Sequence, residues 1–157
     1  SRRQRQMCIR DRANIAIGVA QNAKKLGFIP KVAILSYSNF GNPSGSNTKT
    51  INECLKILEE KKVSFEFDGE MTAEVALDYN LIKENYPFCK LSGPANVLIM
   101  PDLYSANISF KLLQKMENLS VIGPIMIGGN NPFQIVQMGA SVSDIVNSAC
   151  ISTYNSL

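Results

Sequence analysis

The chain has 157 residues, 45% of them hydrophobic, with a formal net charge of +3. That is about one domain of chain, long enough to bury a core. It contains no histidine, which excludes His-based triads, His metal sites and His general bases, and no apolar run approaches the length that spans a bilayer.

The charge is unevenly placed. All five arginines (Arg2, Arg3, Arg5, Arg10, Arg12) fall in the first twelve residues, and from Ala13 onward eleven lysines stand against twelve acids. The body is therefore near neutral, and neither a nucleic-acid nor a membrane partner is expected. Lysine is its only cation for phosphate, without the planar fork by which arginine grips two oxygens. Cys8, Cys54, Cys89 and Cys150 form no C-x-x-C pair and read as reduced thiols of a cytoplasmic protein, not a disulfide framework or a zinc site.

In chain order, residues 1–12 (SRRQRQMCIRDR) differ in composition from everything after them. A basic arm is one reading. The segment also resembles translated sequencing-adapter sequence, and it is expected to be a leader foreign to a domain of residues 13–157. Ala13 to Leu26 places Ile15, Val19, Ala23 and Leu26 on one helical side, with Gly27 as a stop. Lys31-Val32-Ala33-Ile34-Leu35 reads as a buried strand, breaking into a long polar loop from Ser36 to Asn47. Loops of that length inside a compact domain are usually functional or mobile.

Thr48 to Lys62 predicts an amphipathic helix with Ile51, Leu55 and Leu58 on one face, and Val63 to Phe67 a strand ending at Asp68-Gly69-Glu70. Short helices are expected over Met71–Leu77 and Tyr79–Tyr86. Asn96 to Met100 then ends abruptly at Pro101-Asp102, the pattern of a strand buried on both faces, around which the chain is expected to organise. Behind it, Ile108, Leu112 and Met116 form the stripe of a helix from Leu103 to Met116. Leu119 to Ile122 predicts another short strand, and residues 125–136, with Gly128-Gly129-Asn130-Asn131, an irregular hairpin or crossover. Ser141 followed by Asp144 approximates a capping box for a helix to about Cys150. Strands alternating with helices predict an α/β domain whose mostly parallel sheet is flanked by helices.

In such sheets ligands sit beyond the carboxyl ends of the strands. That edge is expected to gather Ser36, Ser38, Asn39, Asp68, Asp102, Asn107, Gly123-Pro124 and Gln137-Met138-Gly139, a polar rim suited to an anionic, hydrogen-bonding ligand. Taken singly, Ser36, Ser38 and Asn39 are turn formers, Asp144 serves its helix start, and Gly123-Pro124 is a structural break. No G-x-G-x-x-G or Walker-type loop is present.

Several runs together resemble the phosphate acetyltransferase/butyryltransferase family: Leu35-Ser36-Tyr37-Ser38, Phe67-Asp68-Gly69-Glu70, Ala95 to Asp102 with Asn107 and Lys111, Gly123-Pro124-Ile125, and Gly139 to Val146. The resemblance covers nearly everything from Ala13. It implies the isocitrate/isopropylmalate dehydrogenase-like fold of phosphotransacetylases, of which this chain looks like about the C-terminal half. Ser36-Tyr37-Ser38-Asn39-Phe40-Gly41, Leu91 to Pro101 and Met138 to Val146 look more like the phosphotransacetylase-like domain that ends bacterial NADP-dependent malic enzymes.

In the family the thiolate of coenzyme A attacks the carbonyl of acetyl phosphate and phosphate leaves. The resemblance gives Asp144 the position of the base assisting thiol deprotonation. It implies ligand-binding roles for Ser36, Ser38, Asn39, Asp102, Asn107 and Gly123. Gln137 and Met138 replace the family's Ser-Arg pair, which holds the phosphoryl group and the developing charge. Methionine donates nothing, glutamine is no cation, and losing a preorganised donor costs about a hundredfold or more in rate; no nearby replacement is apparent in the sequence. The resemblance thus implies a catalytically degenerate domain that binds acetyl-CoA or a related acyl-CoA or acyl phosphate. It also implies homo-oligomerisation through the parent chain, with no cofactor in this segment and with NADP and a divalent metal in the parent. The alternative is a working phosphate acetyltransferase. A half-domain is also expected to leave apolar surface exposed.

Overall fold

A computed structural model describes residues 2–43, 45–129 and 131–156. Ser44 of the long polar loop and Asn130 of the 128–131 run lie outside the described residues, as do the side chains of residues 2–8, 46, 47, 155 and 156. The chain divides into two compact units, residues 1–103 and 104–157.

The first unit is built on three parallel strands, β1 (Lys31–Leu35), β2 (Glu66–Met71) and β3 (Val97–Ile99), in the order β2-β1-β3. The fold is α/β with a parallel sheet flanked by helices, as the alternation predicts. The centre, however, is β1 and not the stretch at Asn96–Met100: β1 has a strand on either side, whereas β3 is a three-residue edge. Successive β1 residues face opposite ways. Val32 and Ile34 join Ala13, Ala16, Ala20, Ile51, Cys54 and Leu58 from α1 (Arg2–Lys25) and α2 (Ser46–Glu60). Ala33 and Leu35 join Met71, Val75, Ala76, Ile82 and Leu91 on the other face, with α3 (Ala73–Leu77) and α4 (Tyr79–Asn85). A strand covered on both faces must be apolar throughout, which is why KVAIL lacks polar alternation.

Helix α1 starts at Arg2, not Ala13, and runs unbroken through residue 12. Ile9 is buried in its core face, and the Arg12 guanidinium donates to the Pro101 carbonyl at 2.6 Å. The helix stops at Gly27, whose φ of +88° admits the paired closing bonds Phe28 N–H to Ala23 O and Gly27 N–H to Lys24 O, both 3.0 Å. Strand β2 lies further along the chain than expected, so Asp68, Gly69 and Glu70 are strand residues and not a terminating turn. Asn96 fastens β3 to β1: its Oδ1 accepts from Lys31 N–H at 2.8 Å and its Nδ2 donates to Ile29 O at 2.9 Å.

In the second unit, α5 (Leu103–Leu113) leads from the unit boundary into an irregular stretch, followed by α6 (Val142–Ser156). The strand expected at Leu119–Ile122 is absent: residues 119–127 carry no strand or helix. A strand needs a neighbour to take its backbone bonds, and this unit has none among its described residues. Met126 N–H and O are met by the Gln134 side chain instead, at 2.9 and 3.3 Å. The stripe Ile108, Leu112 and Met116 is exposed, and no described residue of the unit is buried.

Candidate functional site

Two groups of residues carry the chemistry, one in each unit. In the first, β1 ends at Leu35 and the chain folds into a tight loop closed by Asn39 and Asn42, each N–H donating to the other's carbonyl at 3.0 Å. The loop is tied to β2 by Ser36 N–H to Met71 O (2.9 Å) and Phe40 N–H to Glu70 O (2.7 Å). Asn39 Oδ1 accepts from Thr72 N–H at 2.7 Å, fixing the loop to the start of α3. Ser38, 1% exposed, donates its hydroxyl to Glu70 Oε1, and Thr48 in the first turn of α2 donates to the same oxygen at 2.9 Å. Ser36 Oγ lies 3.3 Å from Ser38 Oγ.

Ser36, Ser38 and Asn39 are thus brought together around a buried carboxylate that sequence reasoning passed over. Glu70 was visible only as the last letter of Asp-Gly-Glu, where a turn was expected. Its placement follows from Gly69, whose φ of +159° lets the backbone lie against β1: a Cβ there would come within 2.8 Å of Ile34 O. Asp68 has other partners: its oxygens accept from Gly69 N–H (2.9 Å) and Lys90 N–H (2.7 Å). Asp102 is exposed just before α5.

In the second unit, Gly123, Gln137, Met138 and Asp144 line one cavity of about 440 Å³, together with Lys115, Ser141 and Asn147. Asn107 lies exposed on α5 and is not among those lining residues. The capping box expected at Ser141 is present. Asp144 Oδ2 accepts from Ser141 N–H (2.9 Å) and Ser141 Oγ–H (2.8 Å), and Asp144 N–H returns to Ser141 Oγ at 3.2 Å. The backbone N–H of Ser141 first, then its hydroxyl, hold the Asp144 carboxyl below its usual range. Met138 is fully exposed at 104%. Lys111 supplies a cation that the sequence left without a role: its ammonium donates to Gln137 Oε1 at 2.9 Å and to Gln114 Oε1 at 3.3 Å. Its signal in the sequence was its place with Asn107 after the run Ala95 to Asp102, for which the resemblance supplied no role.

Cys54, Cys89 and Cys150 are free thiols. Among the described residues no three His, Cys, Asp or Glu side chains gather in a way that could hold a metal ion, and no helix is long and apolar enough to cross a membrane.

A parallel α/β unit with polar side chains at the carboxyl edge of its sheet defines the class: an open α/β domain. Within that class, the chain belongs to the phosphate acetyl/butaryl transferase family, whose model matches residues 8–153. It is 50% identical over 143 residues to an NADP-dependent malic enzyme of Rhizobium meliloti, covering 91% of this chain and 19% of that one. It is 38% identical over 140 residues to a phosphate acetyltransferase of Helicobacter pylori, covering 89% and 27%. Among solved structures it matches EutD phosphotransacetylase from Staphylococcus aureus with a TM-score of 0.86 and 31% identity, over 95% of this chain and 46% of that one. The chain therefore spans less than half the length of each of these relatives.

Proposed function

We propose that this chain is a catalytically degenerate phosphotransacetylase-like domain of an NADP-dependent malic enzyme, one that senses acetyl-CoA or a related acyl-CoA or acyl phosphate and helps the parent oligomerise. The observation that supports this reading is the wall of the second unit's cavity, lined by Gln137 and Met138, the two positions where the family resemblance expects a hydroxyl and a guanidinium. A phosphoryl-clasping site loses its preorganised cation by that exchange. The NADP and divalent metal of malate decarboxylation would belong to the parent outside this segment, which is a cytoplasmic protein on this reading.

A ligand regulates only by binding one conformational state better than another. In the full-length parent, titration calorimetry is therefore expected to give saturable acetyl-CoA binding, and malate turnover is expected to slow as the site fills. No binding by the well-folded parent overturns the sensing role. The second reading, a working phosphate acetyltransferase, is favoured by one observation, the Lys111 ammonium beside Gln137. Thiol consumption from acetyl phosphate and coenzyme A separates the two. The degenerate reading expects the uncatalysed rate from the parent, and recovery of turnover in the Gln137→Ser, Met138→Arg double variant.

A further inference from the structure

The hydroxyl protons at the carboxyl edge of the first unit's sheet have a direction that can be worked out from donor counts. A serine or threonine hydroxyl has one proton to give. Ser38 gives its proton to Glu70 Oε1, and Thr48 gives its own to the same oxygen. Ser38 can then only accept in its 3.3 Å contact with Ser36, so Ser36 is the donor there. The relay runs inward, from Ser36 to Ser38 to Glu70. The other carboxyl oxygen, Oε2, is buried and has no hydrogen-bond partner among the described residues.

We propose that Glu70 is the positioning residue of this edge. It draws the Ser38 and Thr48 protons, and through Ser38 the Ser36 proton, into the protein, so that the half-buried Ser36 Oγ presents lone pairs outward. The ligand group that meets Ser36 is consequently a hydrogen-bond donor, such as an amide N–H, a hydroxyl or an amino group, and not a phosphoryl oxygen. Three side chains that read as part of a rim for an anionic ligand in the sequence (Ser36, Ser38 and Asn39) are arranged differently: the two serines direct their protons along the relay to Glu70, which Thr48 joins, and Asn39 uses its carbonyl on Thr72. The direction of the relay stands on this geometry alone. Assigning the donor to the amide or hydroxyl portion of a coenzyme A molecule rests on the acyl-CoA reading above.

The test is solution NMR on the full chain, with inorganic phosphate and coenzyme A as probes. In the unmodified chain the Ser38 and Thr48 hydroxyl protons exchange slowly with water, and phosphate leaves the Ser36 and Ser38 amide resonances in place. Glu70→Gln keeps an oxygen at the Oε1 position and retains both behaviours. Glu70→Leu removes the acceptor, so the two hydroxyls exchange at least about tenfold faster and phosphate now shifts Ser36. Phosphate shifting Ser36 in the unmodified chain overturns the proposal, as does hydroxyl exchange there no slower than in bulk-exposed serines; both measurements stand even if Glu70→Leu does not fold. Coenzyme A shifts Ser36 while the hydroxyls stay protected. A response to coenzyme A that spares Ser36 overturns the ligand assignment, whereas no response anywhere in the full-length parent overturns the acyl-CoA reading and leaves the relay measured on its own.

Discussion

The Lys111 ammonium donates to Gln137 Oε1 at 2.9 Å, which puts a positive charge one hydrogen bond from a side chain that lines the second unit's cavity. Two of the ammonium's three N–H donors are used, on Gln114 and Gln137. An exposed lysine of this kind adds little to folding. Lys111→Met is therefore expected to move the unfolding free energy by less than about 0.5 kcal/mol. At low salt it should weaken coenzyme A binding by about threefold to tenfold, a difference that fades as added salt screens the charge. Urea melts and titrations at two ionic strengths check both. Unchanged affinity at low salt would mean that Lys111 serves only to hold Gln137.

Packing separates the two units, and substitutions should show it. Ile34 and Leu58 are completely buried, whereas Ile135 is 55% exposed. Leu58→Ala is expected to cost about 2–5 kcal/mol, because a cavity is left behind as well as a side chain lost. Ile135→Ala should cost under about 1 kcal/mol. Amide hydrogen exchange should follow the same division, slowest in β1 between its two neighbours and fast across residues 119–129 and 131–136, which carry no strand or helix.

How far the sequence could be read follows the same line. Where a segment carries its own packing instructions it was legible: KVAIL as a doubly covered strand, the Gly27 stop, and the Ser141–Asp144 capping box. Where structure depends on a neighbour, it was not. Leu119–Ile122 has strand residues but no strand beside it among the described residues of its unit, and of the expected helical stripe Ile108 and Leu112 lie exposed on α5 while Met116 falls beyond its end. Glu70 was hidden for another reason. Asp-Gly reads as a turn in almost any context, and only the close approach of Gly69 to Ile34 turns it into strand and carries the next side chain inward.

That approach gives a sharp expectation for Gly69→Ala. The new methyl would meet Ile34 O at 2.8 Å and Ile34 Cβ at 2.9 Å, on the central strand, where backbone cannot yield cheaply. Strain from overpacking costs about 1–3 kcal/mol, and β2 must shift along with the Glu70 carboxylate. Gly27→Ala is the control: its φ is +88° but nothing lies within 4 Å of the added carbon. It should carry only the left-handed backbone penalty of about 1 kcal/mol and leave the Ser38 and Thr48 hydroxyls protected. Denaturant midpoints rank the two variants. Equal losses would show that conformation, not contact, sets the demand for glycine at 69.

Asp144 links pH to the start of α6. Its folded carboxyl titrates below the ordinary value of 3.8, because Ser141 N–H and then Ser141 Oγ–H stabilise the anion. A depressed folded value means that the unfolded chain binds the proton more readily. The contribution is therefore complete above the unfolded value, declines as pH falls below it, and is gone once pH passes beneath the folded value. Protection of the first-turn amides of α6 should fall off through that acidic window and stay flat from there to neutrality. Ser141→Ala removes one of the two donors and keeps the backbone N–H, the larger cause. The Asp144 titration followed by carboxyl carbon NMR should then move up only part of the way towards 3.8. A full return would assign the effect to the hydroxyl, and no movement would assign it to the backbone and the helix dipole.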